Sequence, residues 1–168
     1  KIKINNPSVV IEERSRVLKG WYQALAVITA ASWSGFQLWH ASPLPFIFKT
    51  GVFIDVPARG IHLSFALMLC YFLFPLRKSH KHQIIPISDL LLAIGGGLSA
   101  FYLNINYHGI VERNGILFEI PFTLFSYTFS FPLELLLASF GILALLEATR
   151  RAIGAPLVIV ASIFLLYS

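Results

Sequence analysis

The sequence is short of sulfur and of charge. Among its 168 residues stand one cysteine and one methionine, and 12% of the chain is Asp, Glu, Lys or Arg. Each shortage excludes something. A single cysteine, Cys70, set inside an apolar run excludes a disulfide framework and reads as a packing residue. Soluble domains carry about 25% charged residues, so a surface facing water on all sides is excluded as well. The chain has no G-x-S-x-G, no H-E-x-x-H and no Gly-rich phosphate loop, so nucleophilic, zinc-protease and nucleotide chemistry lack their signatures. The net charge is +5, yet no basic stretch is interleaved with exposed aromatics, and nucleic acid is not an expected partner. No acidic or basic residue occupies the middle of an apolar run, which argues against an ion or proton path.

What is present is hydrocarbon: 57% of the residues are apolar and mean hydropathy is +0.74. Apolar runs near 20 residues with few charges are the mark of membrane spans. The expected fold is an all-α integral membrane domain. Residues 1–19 form a cytoplasmic or interfacial segment, 20–152 a four-helix membrane domain, and 153–168 the start of a connector helix. In the first segment, Asn6 or Ser8 suits a helix cap, with Pro7 in the first turn. Val10, Ile11, Val17, Leu18 and Trp21 fall near one helical face, with Glu12, Glu13, Arg16 and Lys19 largely elsewhere. That pattern fits an amphipathic helix lying in the membrane interface; a soluble extension of the first span is the alternative.

The four spans are read as Trp21–Trp39, Ile61–Leu76, Leu90–Tyr107 and Phe131–Leu146, and a fifth run covers Ala155–Tyr167. Prolines and glycines in "HASPLPFIFKTGVFIDVPARG" forbid one continuous helix there. Pro86, Ser88 and Asp89 read as a helix start. "GGG" at 95–97 lies inside the third span, where small residues let a neighbouring helix approach. The Phe- and Tyr-rich stretch between spans three and four is expected to lie in the interface or to pack on another protein.

Positive charge orients the spans. With the N-terminus inside, Lys1, Lys3, Arg14, Arg16, Lys19, Arg77, Lys78, Lys81, Arg150 and Arg151 are cytoplasmic, against Lys49, Arg59 and Arg113 outside. Ten against three favours a cytoplasmic N-terminus.

The structural or interface candidates are Arg59, His62, Arg113, Glu134, Glu147, Arg150, Arg151 and Gly154. Arg59 and His62 share a helix face at the outer end of span two. Glu134, one turn into span four, is expected to pair with an outer polar group such as Arg59, or to meet another subunit. Glu147 and Arg151 stand four apart in the favoured order for a helical ion pair, and the cluster reads as a charged anchor at the cytoplasmic surface, with Gly154 permitting the turn into the fifth run. None of His40, His62, His80, His82 and His108 sits at mid-span, where a membrane haem needs facing imidazoles. No catalytic, substrate-binding, cofactor or metal residue is assigned.

Three stretches carry a resemblance: "RGIHLSFALMLCYFLFPLRK" (59–78), "YHGIVERNG" (107–115) and "LLEATRRAIGAPLVIVASIFLLYS" (145–168). Together they resemble the small membrane (Q-type) domain of tripartite ATP-independent periplasmic (TRAP) transporters, closest to fused permeases of the TAXI type. The pattern there reads R-x-I-H-L-x-F, then F-L-x-x-P, R-x-G and L-E-A-x-R-R-x-x-G. The loop after Arg113, "RNGILFEIPFTLFSY", departs from the R-x-G-x-P-T of that pattern.

The resemblance implies a bracing domain of a secondary importer of organic acids in a bacterial inner membrane. Its implied partners are a large M-type transport domain, a periplasmic TAXI-type binding protein and membrane lipids. Substrate sites and sodium or proton coupling are then expected in the M-type domain, with no cofactor in this one. Two other classes stay open: a haem- or quinone-binding redox subunit, and a free-standing membrane assembly protein.

Overall fold

The computed structural model describes residues 15–53, 55–76, 85–114, 116, 118–124 and 127–167. The expected interfacial helix falls mainly on residues 1–14, and the basic turn with His80 and His82 on 77–84; both lie outside the described residues.

The chain is mostly helical. Helix α1 is Trp21–Ala41, α2 Leu44–Phe48, α3 Asp55–Leu73, α4 Ile87–Ile105, α5 Tyr107–Glu112, α6 Leu133–Ala152 and α7 Ala155–Tyr167. Strands β1 (Glu119–Leu124) and β2 (Tyr127–Pro132) form an antiparallel hairpin. At 19 residues each, α3 and α4 are long and apolar enough to cross a membrane. A rise of 1.5 Å per residue gives each roughly 28 Å, about the hydrocarbon thickness of a bilayer. Helix α6 has 20 residues, but carries Glu134 in its first turn and Glu147, Arg150 and Arg151 near its end. Helix α7 is apolar on every side and buries none of its 13 residues; such a helix needs an apolar surrounding.

Helices α3, α4 and α6 form the core, each packed against the other two. The core is built largely of small residues: Ala93, Ala100, Ala144 and Ala148 are buried beside Leu67, Tyr71 and Phe72. The glycine run works in two directions. A Cβ at Gly97 would stand 2.7 Å from Met68 Cγ of α3, and one at Gly96 3.1 Å from Ala144 Cβ of α6. Side chains of one or no carbon let these backbones approach closely. Helix α1 packs on α3, and α7 on α6.

Three expectations are corrected. Ser15–Lys19 is not helical: the Arg16 backbone N–H donates to Leu73 O at 2.7 Å, so its hydrogen bond leaves the segment. The region between spans three and four is not all-α. Its Thr, Phe and Tyr residues favour a pleated surface, and Glu119 pairs with Pro132 through to Leu124 with Tyr127. Finally, "EATRRA", beyond the expected end of span four at Leu146, continues the helix as the last part of α6. The chain turns at Ile153–Gly154, where φ of +126° suits glycine and Gly154 N–H donates to Thr149 O at 3.2 Å.

Candidate functional site

The end of α3 has orphan carbonyls, as every helix end does. Two arginines from distant parts of the chain bind them. Arg16 donates its backbone N–H to Leu73 O and Nη1 to Phe72 O at 3.4 Å; Arg151 donates Nη1 to Phe74 O at 3.4 Å. Cations at a helix C-terminus also meet the favourable end of its dipole.

Asp89, in the first turn of α4, joins the two guanidiniums. Its Oδ2 accepts from Arg16 Nη2 at 2.7 Å and its Oδ1 from Arg151 Nη1 at 2.8 Å. All three side chains are sealed, at 0–2% exposure. The Arg151 guanidinium also lies 4.8 Å from the centre of the Tyr71 ring, a cation–π contact. Tyr71 is itself fully buried and donates its hydroxyl to Ala144 O at 2.7 Å. Cys70 Sγ lies 3.3 Å from Ala148 O on the same α3–α6 seam.

Glu147 extends the network towards the surface. Its Oε1 accepts from Arg151 Nε at 2.8 Å and Arg150 Nη2 at 2.8 Å, and its Oε2 from Arg150 Nε at 2.7 Å. Glu147 lies beyond the apolar run that ends at Leu146. The Arg150 hydrogen bonds hold its carboxyl below the usual glutamate range; burial opposes this, and Arg151 adds to the lowering. Three guanidiniums meet two carboxylates, so the network keeps one excess positive charge. Arg16 Nε is the one buried side-chain polar atom among the described residues without a hydrogen-bond partner.

Two other clusters lie in α1–α3 and beside the hairpin. Trp33 Nε1 of α1 donates to His62 Nδ1 of α3 at 2.8 Å, and Phe36 stands edge-on to the same imidazole. At the start of α6, buried Glu134 accepts from the Phe118 N–H at 3.2 Å and from the Tyr102 hydroxyl at 3.4 Å. Leu133 N–H donates to Phe118 O at 2.9 Å, so Glu134 fastens the hairpin to α6. The cleft of about 650 Å³ between α4 and α6, lined by Leu98, Phe101, Leu137 and Phe140 among others, is apolar and lies away from the ionic network.

The candidates read from sequence thus separate. Glu147, Arg150 and Arg151 come together as expected of a helical cluster, but Arg151 is a buried bridge rather than a surface anchor. Glu134 does not pair with Arg59, which is 80% exposed and 3.7 Å from Asp55 on its own helix. Arg113 is exposed at the end of α5, and Gly154 makes the turn before α7. Sequence reasoning missed Arg16, Asp89 and Tyr71 as members. A signal existed for two of them: charge bias gave Arg16, Arg150 and Arg151 one expected side, and Asp89 was expected to open an apolar helix. A lone acid opening an apolar helix on that side had to find a cation.

No family model, curated protein or solved structure matches the chain.

Proposed function

We propose that this chain is a bracing membrane domain of a TRAP-type secondary transporter, multi-pass in a bacterial inner membrane with a cytoplasmic N-terminus. The observation that carries the reading is the Arg16–Asp89–Arg151 bridge. It ties the segment before α1, the end of α3, the start of α4 and the end of α6 at one point. A domain that braces a moving partner needs helices fixed relative to one another, and a sealed ionic tie does that. Arg151 of the bridge belongs to the L-E-A-T-R-R stretch, the most specific part of the resemblance, and pairs there with Glu147.

Further support comes from the outside of the bundle. Val27, Ile28, Leu91, Leu98, Leu135, Leu143 and Ile163 are all exposed, a surface that suits lipid or another membrane protein better than water. In this reading α1, α3, α4 and the apolar part of α6 up to Leu146 are the four spans, and α7 is the connector. Substrate selection and ion coupling belong to a large partner domain, and the hairpin lies on the periplasmic side. The charged side chains take structural roles, and the domain performs no catalysis.

The test is isolation of the chain from its native membrane under mild detergent. A stable polytopic partner whose organic-acid uptake collapses when this chain is deleted supports the proposal. A haem Soret band in the purified material, or uptake unchanged by the deletion, overturns it.

A further inference from the structure

Helix α1 is thinly docked. Ala26 is its one buried residue, and Val27, Ile28 and Leu38 point away from the fold. What ties it to α3 is directional. The Trp33 indole N–H donates to His62 Nδ1 at 2.8 Å. An indole nitrogen can only donate, so Nδ1 carries no proton and the imidazole is neutral, with its hydrogen on Nε2. Phe36, on the next turn of α1, stands edge-on to the same ring with centroids 5.2 Å apart.

We propose that His62 is an acid-sensitive latch: neutral, it holds α1 on α3, and protonated, it lets α1 go. Protonation places a hydrogen on Nδ1, so the indole faces another donor and the bond is lost. The half-buried ring then carries a charge beside Trp33 and Phe36.

None of the charged groups around it opposes release. On α3 the neighbouring charge is Arg59, one turn earlier, exposed and facing Asp55. On α1 it is His40, stacked on Phe36 with centroids 6.0 Å apart. Helix α2 contributes no titratable side chain, with Lys49 at its end. Helix α4 brings the neutral Asn104 beside Gly60. Among the described residues, no carboxylate forms an ion pair with the ring.

The experiment follows the Trp33 indole N–H by NMR in the full chain, reconstituted in phospholipid nanodiscs. Trp21→Phe and Trp39→Phe leave Trp33 as the reporter. Hydrogen-exchange protection is measured from pH 8 to pH 5, relative to a free tryptophan amide at each pH. Protection should fall at least tenfold across that range. His62→Asn offers an amide oxygen close to the place of Nδ1 and cannot titrate, so its indole should keep one level of protection throughout. His40→Gln should retain the parental transition. Constant protection in the parent, a transition surviving in His62→Asn, or its disappearance in His40→Gln overturns the inference. An indole in His62→Asn that is unprotected at every pH still assigns the bond to His62, and the parental transition then decides.

Discussion

Arg151 reaches Asp89 across 62 positions of sequence, Nη1 to Oδ1 at 2.8 Å, with both side chains sealed from solvent. Arg16 approaches the other oxygen of the same carboxylate from the opposite end of the chain. The bridge is costly to assemble, because three charges leave water together, and costlier to break, because the survivors stay buried and unpaired.

Asp89→Asn is therefore expected to destabilise the fold by about 3–5 kcal/mol. The variant leaves Arg16 and Arg151 facing a neutral amide in a closed site. Reversible unfolding in mixed micelles measures the loss. A variant within about 0.5 kcal/mol of the parent, the range of ordinary surface substitutions, would show that the bridge does not hold the bundle.

The two neighbouring arginines should separate sharply. Arg150 pairs with Glu147 at the surface and is 45% exposed, whereas Arg151 is 2% exposed and serves Asp89, Glu147 and Phe74 O. Arg150→Ala should cost no more than about 1 kcal/mol, and Arg151→Ala about 3–5 kcal/mol. Under the proposed transporter role, replacing both should lower membrane abundance without changing substrate preference. Quantitative immunoblotting of membranes, with uptake normalised to abundance, reads both effects.

Replacing the whole triad tests whether its charge or its packing matters. Arg16→Met, Asp89→Leu and Arg151→Met together should be less destabilising than Asp89→Asn alone, because no buried charge is left unpaired. The same unfolding measurement applies. A triple variant worse than Asp89→Asn would mean that the carbonyl contacts to Phe72 and Phe74, and not charge pairing, dominate.

Acid should remove the Glu147 contribution. Its carboxyl is held below the usual value near 4.5 in the folded chain, so the unfolded chain takes up protons first as pH falls. The stability it supplies is present above that usual value and is lost as pH drops through the lowered folded value. Thermal stability of the parent minus that of Glu147→Gln should be constant from pH 7 to about pH 5 and shrink towards pH 3. A difference that grows on acidification contradicts this assignment.

Close packing gives a further check. A Cβ at Gly96 lies 3.1 Å from Ala144 Cβ, which cannot rotate away. Gly96→Leu is expected to cost at least about 1–3 kcal/mol by overpacking. A neutral effect on unfolding would mean that α4 and α6 separate without penalty.

Much of this was legible beforehand. The apolar runs placed α1, α3, α4, α6 and α7 to within a few residues at most ends, because a helix in a hydrocarbon setting is written in composition. Six residues at the start of α3 escaped, since "DVPARG" reads as loop although Pro57 is compatible with a first turn. The hairpin escaped for a different reason: its aromatic residues lengthen an apolar run without stating whether it coils or extends. Glu147 and Arg151 were paired by spacing alone, because four positions in a helix bring side chains together whatever surrounds them.

Sequence by itself determined the apolar character of the chain, its helices and the side of the bundle on which its cations gather. Those follow from local composition and from charge counted along the chain. Tertiary structure decided that Arg16 and Arg151 share Asp89, that Glu134 serves the hairpin instead of Arg59, and that His62 accepts from Trp33. Each of these joins residues at least 15 positions apart, and only the packing of small side chains at the helix crossings determines which distant groups are brought within hydrogen-bond reach.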